Sequence, residues 1–287
     1  MMIANSTFQQ AADAGALAVE RQAQIMAWAQ ARRVVRVEEL CRGLGVSAAT
    51  ARRDLAELEA HGLLRRVHGG AMLPEGHFIE PLFDDKTALA AAEKRAIAAA
   101  AHQLIVAGST VYLDGGSTLV ELARLLAEGP GNLTVVTNSL RAANELAGRG
   151  PRLYLVAGEL RRRSQTLVGP LSRCLLEQLR FDLAFLGTIG LDARGCMSTT
   201  DAGEAFTKAL VLERAQRTIL LADHSKLGQT AFAAAGRLRP GDQLITDAAA
   251  PAAFLRALRR QRVKTTLVPP PSPAANGTSI RKKANQE

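Results

Sequence analysis

The chain has 287 residues, 47% hydrophobic and 22% charged, which excludes a disordered or fibrous protein and leaves room for a substantial core. Its formal net charge of +9 and pI of about 10.1 favour polyanionic partners; residues 1–75, however, hold 9 Lys/Arg against 8 Asp/Glu, and the excess sits at Arg161, Arg162 and Arg163, between Arg256 and Lys264, and at Arg281, Lys282 and Lys283. There is no run of 18 apolar residues, no basic-then-apolar leader and no Cys-x-x-Cys among Cys41, Cys174 and Cys196, so the expectation is a cytoplasmic protein with reduced thiols, no membrane association, no metal and no cofactor.

Residues 1–18 are Ala/Gln-rich without pattern and read as a disordered N-terminal segment. Residues 19–75 read as a DNA-binding domain of three short helices followed by a hairpin. Glu38 to Ser47 has the rhythm of helix, tight turn, helix, with Gly43 and Gly45 supplying the reversal and Ser47 capping the next helix. That helix runs from about Ala48 to Ala60. At roughly 100° per residue, Ala48, Ala51, Leu55 and Leu58 share an inward face. Ala49, Thr50, Arg53, Ala56 and Glu57 share the outward face, with Arg52 on its flank. A small, arginine-bearing face near a helix N-terminus suits a major groove: Arg53 could reach guanine or a phosphate, and Arg52 the backbone. On spacing alone, Arg53 and Glu57 could equally pair on a solvated helix. Leu63 to Leu73 then reads as strand, Gly69-Gly70 turn, strand: a wing whose Arg65, Arg66 and His68 would face phosphates.

Residues 76–92, with Gly76, Pro81 and mixed charges, read as a linker. From 93 to 268 helices alternate with short apolar runs at Val111–Leu113, Leu133–Val136, Leu153–Val156, Leu183–Leu186, Ile219–Ala222 and Leu244–Ile245, the pattern of buried parallel strands in a Rossmann-like α/β domain. Asp114-Gly115-Gly116-Ser117-Thr118 joins a strand to a helix through glycines and hydroxyls, an anion cradle or a plain βα turn. Thr137-Asn138-Ser139 and Gly158-Glu159 end the next two strands, and ligands of open parallel sheets sit beyond such ends. Glu204 and Lys208 lie four apart on a helix, and Asp223 to Lys226 follows another strand, where Lys226 could pair with a phosphate. Leu244 to Asp247 ends a further strand and reads as structural. Residues 269–287, Pro-rich and basic, read as a disordered tail.

Ser47-Ala48-Ala49-Thr50-Ala51-Arg52-Arg53-Asp54-Leu55 resembles the signature of DeoR-type transcriptional regulators, and Arg66-Val67-His68-Gly69-Gly70-Ala71 resembles their wing. The resemblance covers about residues 20–250. It implies a winged helix-turn-helix on operator DNA and a C-terminal domain similar to ribose-5-phosphate isomerase that senses a phosphorylated sugar or polyol. The expected assembly is a homo-oligomer, a dimer or tetramer. Glu204 and Lys208 match recurring positions near the effector pocket, and Asp223 and Lys226 match positions near the pocket or its loop. Two departures stand out: Arg36 where Ser or Thr often caps the second helix, and Ala209 where a basic residue is usual. The expectation is a repressor of a carbohydrate or polyol operon, not an enzyme. The alternative, a sugar-phosphate isomerase carrying a DNA-binding module, would cast Glu204 and Lys208 as base and enediolate stabiliser, but no compact acid/base cluster accompanies them.

Overall fold

Buried apolar side chains fall into three clusters: one within residues 25–71, and two on opposite faces of a large sheet further along the chain. The computed structural model describes residues 18, 21–26, 28–29, 34–60, 63–67, 69–72, 80–129, 132–148 and 150–269. The expected disordered segments, apart from Ala18 and Pro269, lie outside the described residues, as do His68, Pro74 and Gly76.

The N-terminal unit begins with helical residues at 21–26 and 28–29 (α1). It continues through strand β1 (Val34–Arg36), helix α2 (Val37–Leu44), helix α3 (Ala48–Ala60), strand β2 (Arg65–Val67) and strand β3 (Gly70–Met72). Ile25, Leu40, Leu55 and Leu58 close its core. Arg36 offers α2 no side-chain cap, but Glu39 Oε2 accepts from the Arg36 amide at 3.4 Å. Gly45 makes the turn at φ 67°, which a residue with a Cβ resists. Gly43 does not: it lies inside α2 against the Trp28 ring, so the expected two-glycine reversal is a one-glycine reversal. The wing also differs from the two-stranded expectation. Its sheet has the order β1-β3-β2, because Val34–Arg36 pairs antiparallel with Gly70–Met72. Three residues with one buried side chain between two exposed ones carry too little pattern to be read as a strand.

The second unit starts inside the stretch read as a linker. Helix α4 (Phe83–Ala88) packs against α6, and Glu80 and Phe83 are buried. There follow α5 (Ala91–His102), β4 (Thr110–Leu113), α6 (Ser117–Ala127), β5 (Thr134–Thr137), α7 (Leu140–Leu146), β6 (Arg152–Leu155), β7 (Glu159–Arg161), β8 (Thr166–Val168), α8 (Arg173–Leu176) and β9 (Phe181–Leu186). The remainder is β10 (Gly190–Leu191), β11 (Cys196–Thr199), α9 (Ala202–Arg214), β12 (Ala215–Leu221), β13 (Ala233–Arg237), β14 (Gln243–Asp247), α10 (Ala252–Arg260) and β15 (Lys264–Val268).

Seven parallel strands form the central sheet in the order β15-β14-β12-β9-β4-β5-β6. Side chains alternate across it. Val111 and Leu113 join the layer with Leu119, Leu122 and Leu126 of α6, while Tyr112 between them faces Phe181, Leu210 and Val211. The chain enters the sheet at β4, winds outward through β5 and β6, then crosses back to β9 on the other flank. The winding direction reverses between β4 and β9, and the crevice beyond their carboxyl ends is where open α/β sheets bind ligands.

Two features depart from the expected pattern. Glu159–Arg161, read as the end of a parallel strand, is instead the first strand of an antiparallel hairpin with Thr166–Val168. The edge strand β15 was not anticipated, since Lys-Thr-Thr-Leu-Val lacks a continuous apolar run. Antiparallel β10, β11 and β13 add a small second sheet.

Candidate functional site

The candidate DNA-reading surface follows from α3. Ala51, Leu55 and Leu58 turn inward, while Ala49, Arg52, Arg53, Ala56 and Glu57 are exposed. Thr50 and Ala48 are half-buried, so Ala48 is less interior than the wheel placed it. Ser47 Oγ accepts from the Thr50 amide at 3.2 Å and lies 2.9 Å from its hydroxyl, so Ser47 caps the helix. Asp54 is a contact the periodicity missed: it is buried and takes a forked pair of bonds from Arg21, 2.5 Å from Nε and 2.8 Å from Nη2. That pair fixes α3 against α1. Glu57 accepts from Gln22 at 2.6 Å, and among the described residues no ion pair joins it to Arg53. The Arg53 guanidinium therefore faces outward. In the wing, Arg65 is exposed beside Met72. Arg66 is half-buried: its amide donates to Glu59 at 2.8 Å and its Nη1 to the Arg52 carbonyl at 3.2 Å, tying the wing to the back of α3.

A cavity of about 450 Å³ lies at the switch point of the sheet, a volume suited to a small polar metabolite. Its floor is the loop after β4. Gly116 there has φ 134°, a conformation open to glycine, and starts α6. The first helical N–H with an intrahelical acceptor is that of Val120, to Gly116. The amides of Ser117, Thr118 and Leu119 thus point out of the helix start, where the helix dipole favours an anion. Gly115, Gly116, Ser117, Thr118, Glu204, Lys208 and Lys226 all line this one cavity.

Behind the floor runs a chain of buried charges. Lys208, 2% exposed, donates to Asp114 Oδ2 and lies 3.5 Å from Glu204 Oε1. Asp114 also accepts from the Gly187 amide at 3.1 Å, joining the ends of β4 and β9. Burial disfavours the Lys208 ammonium, but Asp114 and Glu204 outweigh it and hold its pKa above the ordinary value. Glu204 Oε2 accepts from Thr199 at 2.8 Å and lies 3.6 Å from Arg161 Nη1. Arg161 Nη2 in turn donates to Glu80 at 2.6 Å and to Thr200 at 3.0 Å. Burial pushes the Glu80 carboxyl up; Lys86, at 2.6 Å, and Arg161 outweigh that and bring it down to about 2.

Glu80, Lys86, Lys94 and Ser164 line the cavity and were not found from sequence. Lys94, 5% exposed in α5, donates to the carbonyls of Lys86 and Leu89. Burial is the main cause of its depressed pKa of about 8, and Asp223 opposes it. Asp223 caps its own loop, accepting from the Ser225 amide at 3.0 Å. Asp247 holds that loop to β14 by accepting from the His224 amide at 2.7 Å, in keeping with its structural reading.

Thr137, Asn138, Ser139 and Gly158 are not among the residues lining this cavity. The hairpin β7–β8 covers the end of β5. Thr137 donates to the Leu113 carbonyl, Asn138 Nδ2 to the Leu167 carbonyl at 3.2 Å, and Ser139 caps α7. Gly158 lies against the backbone of Val168, where a Cβ would collide. Among the described residues no helix is long and apolar enough to cross a membrane, and the three cysteines are free.

Residues 21–76 match the DeoR-like helix-turn-helix domain, and residues 89–248 match the DeoR C terminal sensor domain. The chain is 39% identical over 211 residues to the HTH-type transcriptional regulator GlpR of Haloferax volcanii, covering 74% of this chain and 82% of that one. It is 34% identical over 234 residues to the glycerol-3-phosphate regulon repressor of Escherichia coli, covering 81% and 92%. It is 35% identical over 217 residues to the lactose phosphotransferase system repressor of Staphylococcus epidermidis, covering 74% and 85%. Among solved structures, a ribose-5-phosphate isomerase in complex with phospho-erythronic acid aligns over 47% of this chain and 52% of its own, at 19% identity and a TM-score of 0.36.

Proposed function

Because this chain belongs to the DeoR family of transcriptional repressors, we propose that it silences a carbohydrate or polyol catabolic operon in the cytoplasm and leaves its operator when a phosphorylated metabolite fills the switch-point cavity. The observation that carries the effector reading is the floor of that cavity. Free amides of α6 and the Ser117 and Thr118 side chains meet the cavity that Lys94 and Lys226 also line. A phosphate is the ligand group such a cradle suits, and the hydroxyl-rich walls suit a sugar or polyol. The relatives named for glycerol-3-phosphate and for the lactose phosphotransferase system act in the same chemical territory.

On DNA, Arg53 reads base edges from the major groove, with Ala49 and Ala56 small enough to permit close approach. Ser47, Thr50, Arg52, Arg65, Arg66 and His68 hold the phosphate backbone. Two copies of the chain on a two-fold operator give the repressor its reach. The effector releases DNA by binding the two states with different affinity.

The sensing domain acts without catalysis. An isomerase needs a free base at the sugar carbon. Both Glu204 oxygens are engaged, by Thr199 and by Lys208, and Lys208 is locked between Glu204 and Asp114. The test is fluorescence anisotropy of DNA from the promoter of this gene and its neighbours. Sugar and polyol phosphates are titrated in, with their unphosphorylated parents as controls. At least one phosphorylated compound is expected to weaken binding tenfold or more, without being turned over. A protein that binds the promoter but responds to no phosphorylated compound refutes the effector assignment.

A further inference from the structure

One wall of the cavity comes from a segment, Glu80 to Lys86, that lies between the two family matches at 21–76 and 89–248. Glu80 is 3% exposed, although it lies in a stretch whose composition marks a linker. Its carboxylate takes one bond from Lys86, one from Arg161 and one from the Thr200 hydroxyl at 2.8 Å, and its carbonyl takes another from Arg163. That is a complete anion-binding shell, with a protein carboxylate as the anion. Arg161 keeps hydrogen-bonding capacity: its Nη1, 3.6 Å from Glu204, is buried without a hydrogen-bond partner.

We propose that Arg161, Lys86 and Thr200 form an anion subsite that Glu80 occupies in the operator-binding form, and that the phosphate of the effector takes over that subsite and expels Glu80. The proposal rests on the reading that the cavity takes a phosphorylated ligand. Charge balance supports it. With Glu80 in place, Lys86 and Arg161 are both held by its carboxylate, and Lys208 is held by Asp114 and Glu204. A dianion entering beside Glu80 meets these three cations already engaged. If it expels Glu80, it inherits both Lys86 and Arg161. A guanidinium fork binds phosphate as readily as carboxylate, and a phosphate has an oxygen to spare for Nη1, which lacks a hydrogen bond.

The exchange also gives the cavity a route to the DNA-reading unit. Glu80 and the last wing strand residue, Met72, are separated only by residues 73–79. While Glu80 is held by four bonds, the chain leaving the wing is fixed at that point. Once phosphate replaces the carboxylate, only the Arg163 bond to the Glu80 carbonyl remains, and the geometry that suited the operator loses most of its anchor.

The experiment uses the full chain, with inorganic phosphate and glycerol 3-phosphate as probes in isothermal titration calorimetry. Glu80→Gln keeps the side-chain shape and removes the competing charge. It is expected to bind phosphate at least tenfold more tightly than the parent, and to hold the promoter fragment less tightly when no ligand is present. If the parent binds either probe and Glu80→Gln binds it equally or more weakly, the exchange is overturned while the cavity remains a phosphate site. If neither protein binds either probe, the cavity reading falls and the exchange with it. Hydrogen exchange on the parent chain decides the matter even if the variant does not fold. Phosphate is expected to speed exchange of amides in residues 80–89, and unchanged or slowed exchange there contradicts the proposal.

Discussion

The two charged surfaces of this protein use cations in opposite ways. On α3 and the wing, Arg52, Arg53 and Arg65 are exposed, and among the described residues none of the three is held by a carboxylate. At the cavity, Lys94 and Lys208 are almost fully buried. Lys208 is held by two carboxylates, and Lys94 by two backbone carbonyls. An exposed guanidinium gains a polyanion by releasing counterions, so its contribution is salt-dependent and tolerant of small shifts. A buried ammonium has already lost its water and must keep acceptors beside it, so a ligand there acts by exchanging one partner for another. The first arrangement suits contact with a long polymer, and the second suits a decision about one small molecule.

If that contrast is right, disturbing the buried side should cost most. Lys208→Met leaves Asp114 and Glu204 without their shared cation. We expect a loss of about 3–5 kcal/mol in the sensing domain, visible as a drop of roughly 10 °C or more in its melting transition. A melting point within a degree or two of the parent would mean that the charge chain is not a structural element. Arg53→Ala comes next, with about 1–3 kcal/mol lost from operator binding and relaxed base preference at one position in a binding-site selection. Equal losses on every sequence would instead place Arg53 on the backbone.

Replacing Ser117 and Thr118 together by Ala should leave operator affinity unchanged and weaken the response to phosphorylated compounds roughly tenfold, about 1.4 kcal/mol. Titrating the release with operator-bound protein reads both quantities at once. A smaller effect concerns pH. The Lys94 pKa is depressed to about 8, so the folded protein gives up this proton before the unfolded chain does. Stability from this group therefore rises with pH between about 8 and the ordinary lysine value. Effector affinity runs the other way: a bound phosphate restores the ammonium, so binding takes up protons near pH 8 and weakens above it. Calorimetry in buffers of different ionisation enthalpy measures that uptake, and Lys94→Met should abolish it. Arg65→Ala should do least, lowering the salt dependence of DNA binding by about one phosphate contact without changing specificity.

The same contrast explains what could be read from the sequence. The DNA-reading unit is written contiguously: the Ser47 cap, the inward Leu55 and Leu58 and the outward Arg52 and Arg53 all follow from helical spacing within 12 residues. Asp54 escaped because its partner Arg21 lies 33 residues away, and an aspartate on a helix otherwise reads as solvated. The parallel strands announced themselves as apolar runs, whereas edge strand β15 and three-residue β1 did not. In the sensing domain, the strand-glycine-helix pattern at Asp114 to Thr118 led to the cavity. The same signal at Thr137 to Ser139 led away from it, because polar residues at strand ends also cap helices and support hairpins. Glu80, Lys86 and Lys94 reach the cavity only once α4 and α5 fold over the sheet, and nothing in their spacing distinguishes them from surface charges.

The most direct test is a crystal structure of the full chain with a phosphorylated compound that weakens operator binding. The phosphorylated ligand is expected within the cavity beyond β4 and β9, with Lys94 and Lys226 about it and phosphate oxygens against the amides of Ser117 or Thr118 and against Lys86 in place of the Glu80 carboxylate. A ligand found instead at the opposite end of the sheet, in the depression lined by Leu104, Asp182 and Arg239, would contradict the account.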